Sequence, residues 1–135
     1  IGIAAGLIAP IAYRFIENTL KLDDAVGAVA VHGCNGAWGG LAVGLFADGS
    51  YGAGWNGVDG KVTGLFYGGG LGQLEAQVVG VLTCLVFVFS FFYLFFKATD
   101  ALWGIRVSSE VELEGLDGPD LGVSAYAEFQ ITHEE

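Results

Sequence analysis

Two long runs without a charged side chain constrain this sequence more than anything else in it. Ala25 to Ala47 is one run, and Ala76 to Phe96 is the other, ending in Phe87, Phe89, Phe91, Phe92, Tyr93, Phe95 and Phe96. About 20 helical residues cross a hydrocarbon core roughly 30 Å thick, so both runs are long enough to span a membrane. Ile1 to Tyr13 is apolar as well, and it lacks the basic start and small-residue cleavage site of a signal peptide. Charged residues make up 15% of the chain, against roughly 25% in ordinary globular domains. Together these features predict an all-α polytopic membrane protein.

Three membrane helices are expected, at about residues 1–20, 24–47 and 73–102, so that 1–106 forms a transmembrane region. The third is longer than a bilayer is thick and should tilt or project. The link "KLDD" between the first two is short, and an Asp at its end suits a helix N-cap. The segment 48–72 holds ten glycines in 25 residues. It reads as a loop outside the hydrocarbon or buried in protein. If the helices alternate, Arg14, Lys21, Lys97 and Arg106 fall on one side and Lys61 alone on the other. The positive-inside rule then makes the glycine-rich loop external and the C-terminal tail cytoplasmic. With no Met at any position, including the first, the chain is expected to be the C-terminal part of a longer protein.

The net charge of −10 is not spread evenly. Residues 1–106 carry five basic and seven acidic side chains, whereas 107–135 carries eight acidic and none that is basic. The tail is therefore a separate water-soluble segment, and nucleic acid is excluded as its partner. Cys34 and Cys84 both lie within apolar spans and read as small packing residues.

His32 interrupts the first charge-free run, eight residues beyond Asp24. At 1.5 Å per residue that places it about 12 Å along a helix starting at Asp24, within the hydrocarbon depth. An imidazole there should face a bundle interior or a cavity, not lipid. Helical spacing puts Ala28, Asn35, Gly36 and Gly39 on the same face, and their small side chains leave room for a neighbouring helix or a lumen. Gly36, Gly40 and Gly44 form a small-xxx-small ridge of the kind that packs helices together. Residue chemistry leaves three readings of His32 open: a functional group, a structural hydrogen bond, or a haem ligand. The last lacks a second intramembrane His to complete an axial pair.

The stretch "DDAVGAVAVHGCNGAWGGLAVGLFA", followed by "GLFYGG", "WGIRVSSEVELEGLD" and "SAY", resembles the last three transmembrane helices and tail of the ammonium transporter family (Amt/Mep/Rh), Amt branch. The resemblance covers essentially the whole chain. It implies an eleven-helix protomer, a homotrimer with one pore per protomer, and a place for this chain at helices nine to eleven. It further implies that His32 is one of two paired pore histidines, its partner lying on a helix outside this chain. Neutral imidazole has one donor and one acceptor nitrogen, so two rings can share a hydrogen bond and still contact ammonia or a proton. Ammonium would dock at an outer vestibule and lose its proton, and ammonia and the proton would pass inward separately. Ala28 would line the cytoplasmic pore exit, and Asp24 would be a structural carboxylate at the helix start. No enzyme activity, cofactor or metal is implied. Trp38, Trp55, Phe66 and Tyr67 read as packing or loop-anchoring residues, since the vestibule aromatics belong to helices outside this chain.

In the tail, the resemblance implies regulatory contacts through Glu114, Gly115, Leu116, Asp117 and Tyr126, with a neighbouring protomer and possible docking of a PII-type signal-transduction protein at the cytoplasmic face. Here "GPDLGVSAY" departs from the family pattern, which has a His before "SAY", and Pro119 enters instead. The implied function is ammonium/ammonia transport across the cytoplasmic membrane. The alternative is a sensor with the same fold that passes little ammonium.

Overall fold

The structure is a computed structural model that describes residues 1–54 and 59–123. It is mostly helical, with no strand among the described residues beyond an isolated antiparallel bridge between Asp48 and Thr63. The chain divides into two compact units, 1–89 and 90–135.

In the first unit, α1 (Gly2–Arg14) passes into a wider π turn, Phe15–Leu20. Pro10 sits inside α1, where its missing N–H and its ring cost a bond to the carbonyl four residues back. The π turn ends at Lys21 in the left-handed conformation (φ 55°). The Leu22 N–H then donates to the Ile16 carbonyl, and the chain reverses.

The second expected helix does not begin at Asp24. Residues 25–26 form a turn, and Gly27 adopts a φ of +67°, a conformation that side-chain-bearing residues adopt at a cost. The helical hydrogen bonds start beyond it, with the Val31 N–H donating to the Gly27 carbonyl at 2.8 Å. A second π turn, Val29–Cys34, leads into α2 (Asn35–Phe46). His32 therefore stands about one turn from the helix start, instead of the two-turn depth that counting from Asp24 gives.

The α2 helix packs closely on the helix that follows the loop, α3 (Gly72–Trp103). A Cβ on Gly44 would lie 2.7 Å from the Cα of Leu74, and one on Gly40 would lie 2.7 Å from Cγ2 of Val81. Of the expected glycine ridge, then, two members make the tight approach; a Cβ on Gly36 would meet nothing within 4 Å. At the C-terminal end of α2, Phe46 stacks on Phe66 (5.3 Å between ring centres), which lies in a 3₁₀ turn, Leu65–Tyr67. Trp38 meets Phe46 edge-on, and its indole N–H donates to the Ile1 carbonyl at 3.3 Å. In the loop, the Ser50 N–H donates to Asp48 and holds that carboxyl below its usual range.

Few of the described side chains of this unit are buried: among them, Ile16, Ala30 and Ala42 are the buried apolar ones, and Asp24 the buried charged one. Large apolar residues line the outside instead, which a water-soluble monomer does not tolerate on this scale. Among the described residues, α3 is the one helix long and apolar enough to cross a membrane, and its most apolar stretch is unburied.

In the second unit, the end of α3 carries a cluster of rings, Phe92 meeting Phe91, Phe95 and Phe96 at centre distances of 5.3 to 6.4 Å. The helix stops at Gly104, whose N–H donates to the Asp100 carbonyl, while the Asp100 side chain accepts from the Ile105 N–H. Two short helices follow, α4 (Ser109–Glu114) and α5 (Asp117–Leu121). Ser108 caps α4 by accepting from the Val111 N–H. The Glu110 carboxyl is held below its usual range by its own backbone N–H and then by the Ser108 hydroxyl. Arg106 pairs with Glu112.

The contrast between the glycines generates a prediction. Because Leu74 meets Gly44 through backbone, nothing there can swing aside, and Gly44→Ala should cost about 1–3 kcal/mol through overpacking. Gly36→Ala should change stability by less than about 0.5 kcal/mol. Thermal unfolding of the two variants in detergent checks the difference.

Candidate functional site

Asp24 lies at the bend where the first helical segment hands over to the second. It is 5% exposed, and a carboxylate so enclosed must find hydrogen-bond donors. It finds two. The Val29 N–H donates to Oδ1 and the Ala30 N–H to Oδ2, both at 3.1 Å. These are N–H groups of the helix start, which have no carbonyl partner of their own within the helix. An Asp used as an ordinary N-cap would take the N–H two or three residues on. Here the Gly27 turn intervenes, and the carboxylate reaches five and six residues forward.

The Asp24 backbone is held in turn. Its N–H donates to Oε1 of Glu17 at 2.6 Å, and its carbonyl accepts from the Gly27 N–H at 2.7 Å. Tyr13, near the end of α1, and Ile16 and Glu17, in the π turn that continues it, lie at helical spacing. The Tyr13 ring stands 3.7 Å from where a Gly27 Cβ would be, and Ile16 is buried. Sequence reasoning singled out Asp24 but missed Glu17 and Gly27. The signal for Gly27 was a glycine three residues past an acidic pair, a turn pattern. No sequence signal pairs Glu17 with Asp24.

The π turn Val29–Cys34 presents His32. Ala28, His32, Gly36 and Gly39 are all exposed on this chain. Asn35, expected on the same face, is half-buried; its Oδ1 is enclosed with no hydrogen-bond partner among the described residues. Its backbone N–H donates to the His32 carbonyl, three residues back, where the π turn gives way to α2. The π geometry widens the helix by one residue per turn, and such turns gather at functional sites. What results is an imidazole exposed, among the described residues, on a strip of small side chains, and a neutral imidazole can both donate and accept a hydrogen bond. Among the described residues, no group of three His, Cys, Asp or Glu side chains could hold a metal ion.

The expected tail residues are less concentrated. Glu114 ends α4, Gly115 follows with a φ of +96°, and Asp117 opens α5. Leu116 lies exposed between the two helices, as do Leu113 and Leu121 within them. Tyr126, like Trp55, falls outside the described residues.

Comparison with known proteins bears on this arrangement. The family model described as the Ammonium Transporter Family matches residues 1–126. Ammonium transporter Amt2 of Archaeoglobus fulgidus is 40% identical over 135 residues, the whole of this chain and 28% of that protein. Ammonium transporter Amt1 of Haloferax mediterranei is 36% identical over 129 residues, 96% of this chain and 22% of its own. Ammonium transporter 3 of Dictyostelium discoideum is 35% identical over 128 residues, 92% of this chain and 29% of its own. This chain thus spans 22–29% of the length of these curated relatives. No solved structure matches it. With a match running from the first residue into the tail, the chain belongs to the ammonium transporter family.

Proposed function

We propose that this chain forms part of the conduction path of an ammonium/ammonia transporter in the cytoplasmic membrane, with His32 as its proton-relaying group. The observation that carries the reading is the setting of His32. In a chain of this family, an imidazole stands exposed on a strip made of Ala28, Gly36 and Gly39. In the proposed transporter, this chain corresponds to the last three of eleven membrane helices. Ala28, one turn before His32, leaves the cytoplasmic exit open. A second histidine facing His32 from elsewhere in the transporter completes the pair, and ammonia and the proton travel past it separately. The protomers assemble as homotrimers.

His32→Ala tests the reading in the complete transporter. Positioned proton transfer contributes on the order of 10²–10⁴-fold to rate. Ammonium flux into proteoliposomes should therefore fall by roughly 10²-fold, with trimers still present on a native gel. Unchanged flux through well-assembled trimers would overturn the assignment. Ammonium binding without flux in the wild-type protein would favour a sensor instead.

The tail enters the same proposal. It is cytoplasmic, and its exposed apolar residues Leu113, Leu116 and Leu121 call for a cover that water does not provide. The Arg106–Glu112 pair is exposed on both sides, so it contributes at most about 1 kcal/mol and is screened by salt. Apolar contact then has to supply most of the docking, either onto a neighbouring protomer or beneath a PII-type protein. Deleting residues 110–135 should lower flux severalfold at equal membrane abundance. Leu116→Ser should do more harm than neutralising Glu134 and Glu135 together. Flux measured against surface-labelled protein settles both.

A further inference from the structure

We infer that Glu17 is a positioning residue for His32, acting through Asp24. This rests on the reading of His32 as the relaying group and extends it to a residue on a different helix. The connection is a chain of hydrogen bonds in series. Glu17 Oε1 accepts from the Asp24 N–H at 2.6 Å, Asp24 accepts from the Val29 and Ala30 N–H groups at 3.1 Å, and those two residues open the π turn that carries His32.

Each link has few substitutes. Between Glu17 and Asp24 the chain runs through Lys21 in its left-handed conformation, and between Asp24 and Val29 it runs through the Gly27 turn. The first stretch adds no regular helical bond beyond the end of its π turn at Leu22, and the second adds none before Val31 donates to Gly27, so the side-chain bonds set where the second helix begins. Glu17 is half-buried and Asp24 buried, so water competes weakly for both bonds. A carboxylate accepting a backbone N–H forms a shorter and stronger bond than a neutral acceptor does. If the Glu17 link is lost, the Asp24 backbone is free to swing about the Gly27 turn. The Val29–Cys34 segment then has no fixed starting point, and the His32 ring no longer holds one position.

The role of Glu17 is that of an acceptor. A Gln offers the same carbonyl oxygen at the same reach, whereas an Ala offers nothing. The experiment therefore compares Glu17→Ala, Glu17→Gln, Asp24→Ala and the Glu17→Ala/Asp24→Ala double variant in the complete transporter. Two readouts are taken, ammonium flux in proteoliposomes and hydrogen–deuterium exchange over residues 24–32. Exchange in Glu17→Ala should rise about tenfold or more, the factor expected from losing one hydrogen bond to a charged group. Flux should fall in parallel, with the half-saturating ammonium concentration unchanged. Glu17→Gln should restore both to within about threefold of wild type. Because the two residues act in series, the double variant should be no worse than Asp24→Ala alone.

Additive losses in the double variant, or exchange in Glu17→Ala equal to wild type, would overturn the inference. So would a Glu17→Gln protein as impaired as Glu17→Ala. If Glu17→Ala does not reach the membrane, Glu17→Asp, one methylene too short for the bond, takes its place with the same expectations. Altered exchange with no transport even in the wild-type protein would instead count against the transport reading and leave the tie itself standing.

Discussion

A helix that restarts after a sharp bend exposes N–H groups with no carbonyl to meet, and in apolar surroundings each one left unmet costs several kcal/mol. The buried carboxylate of Asp24 takes up two of these groups at once. The π turn Val29–Cys34 opens at those two donors, and α2 follows directly from it. A backbone need met by a side chain thereby marks the start of the π turn on which His32 lies.

The small residues of the second helix serve two unlike purposes, and their surroundings tell them apart. At Gly40 and Gly44 the missing side chain admits the neighbouring helix to within a distance that no Cβ would permit. Ala28, Gly36 and Gly39 are exposed among the described residues, and a Cβ on either glycine would meet nothing within 4 Å. One side of the helix is small where protein comes close, and the other is small where His32 lies. Packing of the first kind needs no hydrophobic driving force, since close backbone contact supplies dispersion that lipid tails match less well.

Much of this was legible in the sequence, and the boundary between what was and was not has a physical basis. Charge-free length depends on composition alone, so the apolar character of 25–47 and 76–96 could be read directly. The acidic tail, too, is a matter of counting. A glycine ridge can be recognised from its spacing, but which of its members meet a neighbour depends on the crossing of two helices, and Gly36 turned out to be open. The start of the second helix was misplaced because "DDAVG" permits helix or turn equally well until Gly27 adopts a positive φ. Glu17 was invisible for a stronger reason. Its contact with Asp24 joins residues seven apart across a reversal whose geometry no local pattern encodes.

The wide turn at Val29–Cys34 has a consequence for how this chain tolerates change in length. A π turn holds one residue more than an α turn over the same rotation. Removing a residue there would convert it to ordinary α-helix and leave both flanks in phase, with Asp24 still at its donors and Gly44 still against Leu74. Removing a residue from α2 would instead turn everything beyond it by about 100°, one residue's share of a 3.6-residue turn, and drive a bulkier side chain against α3. The segment that presents the histidine is thus also the place where a single deletion would be absorbed most readily, so relatives one residue shorter between Asp24 and Gly40 can keep the same helix contacts while aiming the imidazole differently.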